Sequence, residues 1–250
     1  MSLYSGGRIK SLDALRGLCV ILMCFHHLFY DLVVFLGAPA WLFTNPVFDV
    51  LHYLFAGLFI LLSGISSRFS RSNLRRGGKL LAVSLALTAV TLLIDMVTER
   101  MWGYAIGVRI LFGVLHMLSI CMIFYGFFGK WLERLPDWFA PCFYALMVAM
   151  TAKLARGVFG TEISWLFPLG FVREDFYTAD YFPVFPWIFV FLFGTWLGGK
   201  IRQGRMPGFL YTADVPFLSA VGKRALLVYV LHQPLFAGLT LLIGAVFGIL

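Results

Sequence analysis

Long apolar runs alternate with short polar ones along this chain. Seven runs stand out, at 12–36, 47–66, 80–97, 106–128, 138–155, 182–199 and 225–249. Each is close to the roughly 20 residues that a helix needs to cross the hydrocarbon core of a bilayer. A backbone in lipid must satisfy its own hydrogen bonds, so such runs predict helices rather than isolated strands. The pattern predicts an all-α fold: a polytopic membrane helix bundle of about seven transmembrane helices, forming a single domain over residues 1–250. The fifth run is the weakest, because Lys153 and Arg156 close it.

Composition sharpens this picture. The chain is 61% hydrophobic and 13% charged, with 27 phenylalanines, and its mean hydropathy is +0.89. A soluble domain carries about a quarter charged residues. The opening MSLYSGGRIKSLDALRG has no short apolar core followed by a cleavage site. The first run is therefore expected to stay as a helix. Cys19, Cys24, Cys121 and Cys142 lie in apolar runs without metal-ligand or framework spacing, and read as small packing residues.

The net charge of +8 would suggest nucleic acid in a soluble protein, but here its distribution reads as topology. Four regions are rich in basic residues: Arg8 and Lys10; Arg68, Arg71, Arg75, Arg76 and Lys79; Lys130 and Arg134; Lys200, Arg202, Arg205, Lys223 and Arg224. The alternate regions hold only Arg100, Arg109, Lys153, Arg156 and Arg173. This alternation predicts the N-terminus inside and the C-terminus outside. The longest outer loop, 156–181, carries Glu162, Glu174, Asp175 and Asp180.

Ionisable groups within a bilayer are costly and point to function. Here they are Arg16, His26, His27, Asp31, His52, Asp95, Arg109, His116 and His232. All five histidines fall in or beside expected spans. His27 and Asp31 are four residues apart, on one helix face. A carboxylate there can orient an imidazole as a general base; the alternative is a buried polar pair that locks helices together. His26 points about 100° away and reads as a packing residue or a second partner. Counted along the runs, His27 lies in the outer half of the membrane, His116 near mid-depth, and His232 only about seven residues above the cytoplasmic face.

Five blocks carry a resemblance. They are SLDALRGLCVILMCFHHLFYDL (11–32), FAGLFILLSGISSRFSRSNLRRGGKL (55–80), GVLHMLSI (113–120), DYFPVFPWIFVFLFGTWLG (180–198) and VGKRALLVYVLHQPLF (221–236). Together they resemble the bacterial relatives of heparan-α-glucosaminide N-acetyltransferase, in the wider transmembrane acyltransferase superfamily. The resemblance implies acyl transfer across a membrane, from cytoplasmic acetyl-CoA to a sugar amine or hydroxyl on the other side. It makes His27 and Asp31 the catalytic positions. It assigns His116 in GVLH, Asp180 in DYFP and His232 in LHQP to substrate binding. Arg68, Arg71, Arg75 and Arg76 would hold the acyl-CoA phosphates. The short GAPAWLFTNP between the first two runs departs from the family's larger loop, so no histidine is carried over from it.

The resemblance thus implies an acyl-CoA-dependent acyltransferase acting on an extracytoplasmic or lipid-linked glycan, with a histidine as base or acyl carrier. Trp165, Phe167, Tyr177 and Tyr181 are candidates for stacking on a sugar. Acyl-CoA is expected as co-substrate, with no permanently bound cofactor and no metal. The other expected partners are membrane lipids and the glycan acceptor, without nucleic acid; a homodimer stays open. The expected location is a bacterial cytoplasmic (inner) membrane. The competing reading is a proton-coupled transporter or flippase, in which the intramembrane His and Asp residues form a relay. A b-type haem carrier is disfavoured because the histidine depths do not pair. A retinal protein is disfavoured because the last run has no lysine.

Overall fold

The computed structural model describes residues 7–156 and 164–248. Glu162 of the outer loop and Ile249 at the end of the last run lie outside the described residues. The chain forms α1 (Lys10–Leu36), α2 (Pro46–Arg68), α3 (Asn73–Trp102), α4 (Val114–Leu132), α5 (Phe139–Thr151), α6 (Val184–Arg202), α7 (Phe209–Thr212), α8 (Pro216–Lys223) and α9 (Ala225–Phe247). Short 3-10 turns lie at Ala40–Leu42, Ala152–Arg156 and Ser164–Leu169. Among the described residues there is no strand, only an isolated bridge between Phe112 and Tyr181.

Among the described residues, six helices are long and apolar enough to cross a membrane: α1, α2 with the turn before it, α3, α4, α6 and α9. The fifth expected span is a shorter element. Its 13 residues rise about 20 Å at 1.5 Å per residue, against a core of about 30 Å. Beyond Thr151 the chain tightens into the 3-10 turn that contains Lys153. The fourth run also differs from its expected span: residues 106–113 are irregular, and the helix begins only at Val114.

Two compact units divide the residues, Met1–Leu62 with Lys200–Leu250, and Ser63–Gly199. In the first, α1 packs on α8 and α9. The crossing with α8 is built from glycines. A Cβ on Gly17 would overlap the Leu218 carbonyl, and one on Gly222 would overlap the Asp13 carbonyl. Small residues that let two backbones approach this closely are the usual device of helix association in lipid. Arg224 ends α8, and α9 then runs alongside α1.

In the second unit, α3 packs on α4. The buried positions of α3 are Gly77, Leu80, Ser84, Thr91, Asp95 and Thr98. They recur at three- and four-residue steps, which makes a narrow seam of small and polar side chains. Gly77 sits against the Ser119 carbonyl and Ile123 of α4. Leu85, Val90, Leu93, Ile94 and Val97 face outward. On α9, Leu227, Leu231, Leu235, Leu239 and Leu242 are exposed, whereas Tyr229, His232 and Thr240 are buried. Apolar side chains outside and polar ones inside reverse the rule of a soluble protein. This is the distribution that hydrocarbon solvent selects.

Candidate active site

The first unit gathers four histidines. The His27 ring lies 5.0 Å from that of His232 and 5.7 Å from that of His26. His26 in turn stacks on His52 at 4.4 Å. They come from α1, α2 and α9. Counting residues had set His27 and His232 at different depths, and the contact corrects this. The α9 helix does not start level with the start of α1. It starts beside the Gly17–Gly222 crossing, already well along α1, so about seven more residues carry His232 up to the level of His27.

The carboxylate expected to orient His27 within α1 pairs instead with an amide on α9. Asp31 is completely buried, and its Oδ1 accepts a 2.9 Å hydrogen bond from Gln233 Nε2. The pairs His27–His232 and Asp31–Gln233 fall on one face of α1, four residues apart, and on consecutive residues of α9. His26 contacts the rings of both His27 and His52, as a packing residue or second partner would. Gln233 was missed in the sequence; its signal was an amide, next to His232, in an otherwise apolar helix.

Hydrogen bonds define the state of His232. Its Nδ1 lies 2.6 Å from the Tyr229 carbonyl, an acceptor, so Nδ1 carries a proton and donates it. In the neutral ring Nε2 is then the lone-pair nitrogen. That atom is buried and has no hydrogen-bond partner. The same holds for His26 Nδ1, Asp31 Oδ2 and Gln233 Oε1. Buried polar atoms are almost always satisfied in proteins, so four unpartnered ones in a single cluster mark a place where a ligand or water completes the structure. Among the described residues, no three His, Cys, Asp or Glu side chains are arranged to hold a metal ion.

The second unit holds a polar network of another kind. Asp95 on α3 accepts from the backbone N–H groups of Val108 and Arg109, at 3.0 and 3.2 Å. Thr91 accepts from Ile110 N at 3.1 Å, and Thr178 from Leu111 N at 3.0 Å. Side chains thus supply the acceptors that helix carbonyls would otherwise provide, and Gly107 turns at a φ of 77°. This explains why 106–113 stays non-helical and why His116 sits in the first turn of α4 rather than about ten residues into a helix.

Asp180 accepts from Val114 N at 3.1 Å, so it caps the N-terminus of α4, where a carboxylate also meets the positive end of the helix dipole. Gly113 makes room, because a Cβ there would overlap that carboxylate. His116 Nδ1 accepts from Gly113 N at 3.3 Å, and its Nε2 lies 3.1 Å from Thr88 Oγ1. The Thr88 hydroxyl donates its single proton to the Ile110 carbonyl at 2.7 Å. The His116 proton therefore sits on Nε2, and both ring nitrogens are engaged within the protein.

Near this network, Arg109 lies over the Tyr177 ring at 5.7 Å, and its Nε is buried without a partner. Trp165 and Tyr177 are exposed. Phe167 instead packs against Phe112 and Phe176. Tyr181 donates to the Phe167 carbonyl at 2.7 Å, and burial pushes its phenol up to about 12. It is therefore a lasting donor. Arg173 holds the exposed Asp175 carboxyl below the usual carboxylate range.

The basic cluster divides in two. Arg68, at the end of α2, pairs with Glu133 and donates to Tyr125 Oη at 3.2 Å. Arg71, Arg75 and Arg76 are exposed. Arg75 and Arg76 belong to the first turn of α3 rather than to a loop. Ser72 caps that turn by accepting from Arg75 N at 3.2 Å. Cations at a helix N-terminus oppose the dipole, but together with the free N–H groups they form an anion-attracting surface.

No curated protein and no solved structure matches the chain. A family model described as heparan-alpha-glucosaminide N-acetyltransferase, catalytic, matches residues 8–234, which takes in both units, all five histidines and the basic turn of α3. A multi-pass membrane protein with intramembrane imidazoles fits that description, and the chain belongs to the heparan-alpha-glucosaminide N-acetyltransferase catalytic family.

Proposed function

We propose that this protein is a transmembrane acyltransferase that moves an acetyl or other short acyl group from acyl-CoA to a hydroxyl or amine of a glycan or lipid-linked glycan. The observation that carries this reading is the cluster His26–His27–His52–His232 with Asp31 and Gln233, four of whose buried polar atoms have no partner. Ionisable side chains kept in a membrane interior at that cost belong to a reaction or to transport. Membership of a transferase family selects the reaction.

In this reading His27 takes the proton of the acceptor or briefly carries the acyl group. Asp31 acts with Gln233 to hold α9 against α1 beside it. The exposed Arg71, Arg75 and Arg76 attract the phosphates of the donor from the cytoplasmic side. Arg68 contributes less, being paired with Glu133. His116 and Asp180 serve the acceptor indirectly, by shaping the 106–113 segment and capping α4. Tyr177 and Trp165 offer aromatic faces to a sugar. The N-terminus lies inside and the C-terminus outside, in a cytoplasmic membrane.

The test is purified protein in detergent or vesicles, supplied with acetyl-CoA and a panel of amino sugars and glycans. Free CoA thiol that appears only when an acceptor is present supports the reading. Substrate movement across sealed vesicles without thiol release would replace it with transport. A reporter fused after Leu250 is expected outside the cell, and a cytoplasmic signal would reverse the orientation.

A further inference from the structure

Two imidazoles face each other at the centre of the cluster, and the structure prepares them differently. Among the described residues, no side-chain hydrogen bond fixes the His27 ring. The His232 ring is fixed by the 2.6 Å bond from Nδ1 to the Tyr229 carbonyl. Such a bond sets the tautomer, orients the ring and stabilises the imidazolium that forms when the other nitrogen gains a proton. It does for His232 what a carboxylate does for the histidine of a hydrolytic triad.

The local sequence explains how the bond arises. Pro234 lies inside α9 and has no N–H, and its ring disfavours regular helix just before it. Pro234 leaves the Val230 carbonyl, four residues before it, without its helix bond, and the three-residue step from Tyr229 to His232 lets Nδ1 reach the Tyr229 carbonyl. Ring contacts with Tyr229 at 5.7 Å and Phe236 at 6.1 Å flank the imidazole. Gln233, clipped to Asp31 on α1, stops α9 from rotating the ring away.

What remains is Nε2: buried, unpartnered and carrying a lone pair. The nearby unpartnered oxygens, Asp31 Oδ2 and Gln233 Oε1, are also hydrogen-bond acceptors. A site made of acceptors is complementary to a group that brings protons, such as a hydroxyl or an amine, and not to a phosphate.

We propose that His232 Nε2 is the atom that takes the proton from the acceptor during transfer. This rests on the acyltransferase reading and moves the proton from His27 to its neighbour. As the acceptor oxygen or nitrogen bonds to the thioester carbonyl carbon, its proton passes to Nε2. The carbon–sulfur bond then breaks, and the imidazolium returns the proton to the leaving thiolate. The products are the acylated acceptor and free CoA thiol, and His232 regains its Nδ1–H tautomer. Nothing is oxidised or reduced. His27 is left to meet the acyl group.

The decisive variant is His232→Asn. Its side-chain amide still donates to the Tyr229 carbonyl but has no counterpart of Nε2. The expected result is a kcat at least about 100-fold lower with both KM values near wild type, the pattern of a lost proton acceptor. Free imidazole is expected to restore part of the rate. A kcat within about threefold of wild type would overturn the proposal, as would a loss confined to the acceptor KM, which marks uniform binding. His232→Gln guards against misfolding, since it keeps a polar atom near the Nε2 position; it is expected to fold and to be equally slow, and a fast His232→Gln enzyme overturns the proposal too. Nitrogen-15 spectra of histidine-labelled protein give a readout independent of transfer. The resonance lost in His232→Asn is expected to show a bare Nε2, and a protonated Nε2 at neutral pH contradicts the proposal. Wild-type protein that transfers to no acceptor would instead defeat the acyltransferase reading itself.

Discussion

Two buried polar networks, one in each unit, differ in how their side chains are partnered, although Ser63–Gly199 also keeps Arg68 Nε, Asn73 Oδ1 and Arg109 Nε buried without a hydrogen-bond partner. In Ser63–Gly199, Asp95, Thr91, Thr178, Asp180 and His116 are spent on backbone N–H groups, and both nitrogens of His116 are occupied. In Met1–Leu62 with Lys200–Leu250, His26, His232, Asp31 and Gln233 each keep a buried atom without a partner. For the five residues named in Ser63–Gly199 the cost of removing a polar group from water is met within the protein, whereas in the four-histidine cluster part of it is left to a ligand. An ionisable residue in a membrane span is therefore not a catalytic candidate on its own account. Its hydrogen bonds decide whether it builds the protein or waits for a substrate.

This contrast can be broken by exchanging the consequences of mutation. The largest expected effect is His27→Ala. Transfer is expected to fall by about 100-fold or more, because the side chain that meets and positions the acyl group is lost, with membrane expression and melting in detergent unchanged. Steady-state rates normalised to folded protein check this, and loss of expression together with activity would make His27 a packing residue. Next is Asp95→Ala, which leaves two backbone donors without an acceptor. A stability loss of about 1–3 kcal/mol is expected, read as a lower melting temperature, with kcat per folded molecule retained.

A smaller effect is expected from joint replacement of Arg75 and Arg76 by Ala. The KM for acyl-CoA should rise by about tenfold, or about 1.4 kcal/mol for two exposed charge contacts, and the acceptor KM should not move. The smallest concerns the exposed pair of Lys10 with Asp214, 2.8 Å apart. Lys10, with help from Ser219, holds the Asp214 carboxyl below the usual range. Its contribution is thus present above that range and lost as the pH falls through the lowered value. Being exposed, the pair is expected to change melting at neutral pH too little to detect when Asp214 is replaced by Asn.

Much of the fold was legible in the sequence, because hydrocarbon solvent leaves few choices for an apolar run. Six of the seven runs yielded helices long enough to span. The errors came from features that hydropathy does not record. The run at 106–128 looks continuous, yet its first eight residues are non-helical, because Asp95, Thr91 and Thr178 from elsewhere in the chain receive N–H groups of this segment. The depth of His232 could not be counted from the start of α9, because a glycine crossing had already set that start beside Gly17. The histidines were conspicuous as titratable residues in lipid. Their division into satisfied and unsatisfied groups was not, since it depends on contacts of Thr88 and Gln233 that only the fold creates and on a local bond from His232 to the Tyr229 carbonyl that hydropathy does not record.

The most direct measurement is a structure of the protein with a non-hydrolysable acyl-CoA analogue and an acceptor sugar bound. The thioester carbonyl carbon is expected against the His27–His232 pair, with the acceptor's hydroxyl or amine within hydrogen-bond distance of His232 Nε2. A thioester seated instead against Asp95, His116 and Asp180, with the four-histidine cluster in contact with neither substrate, would contradict the account.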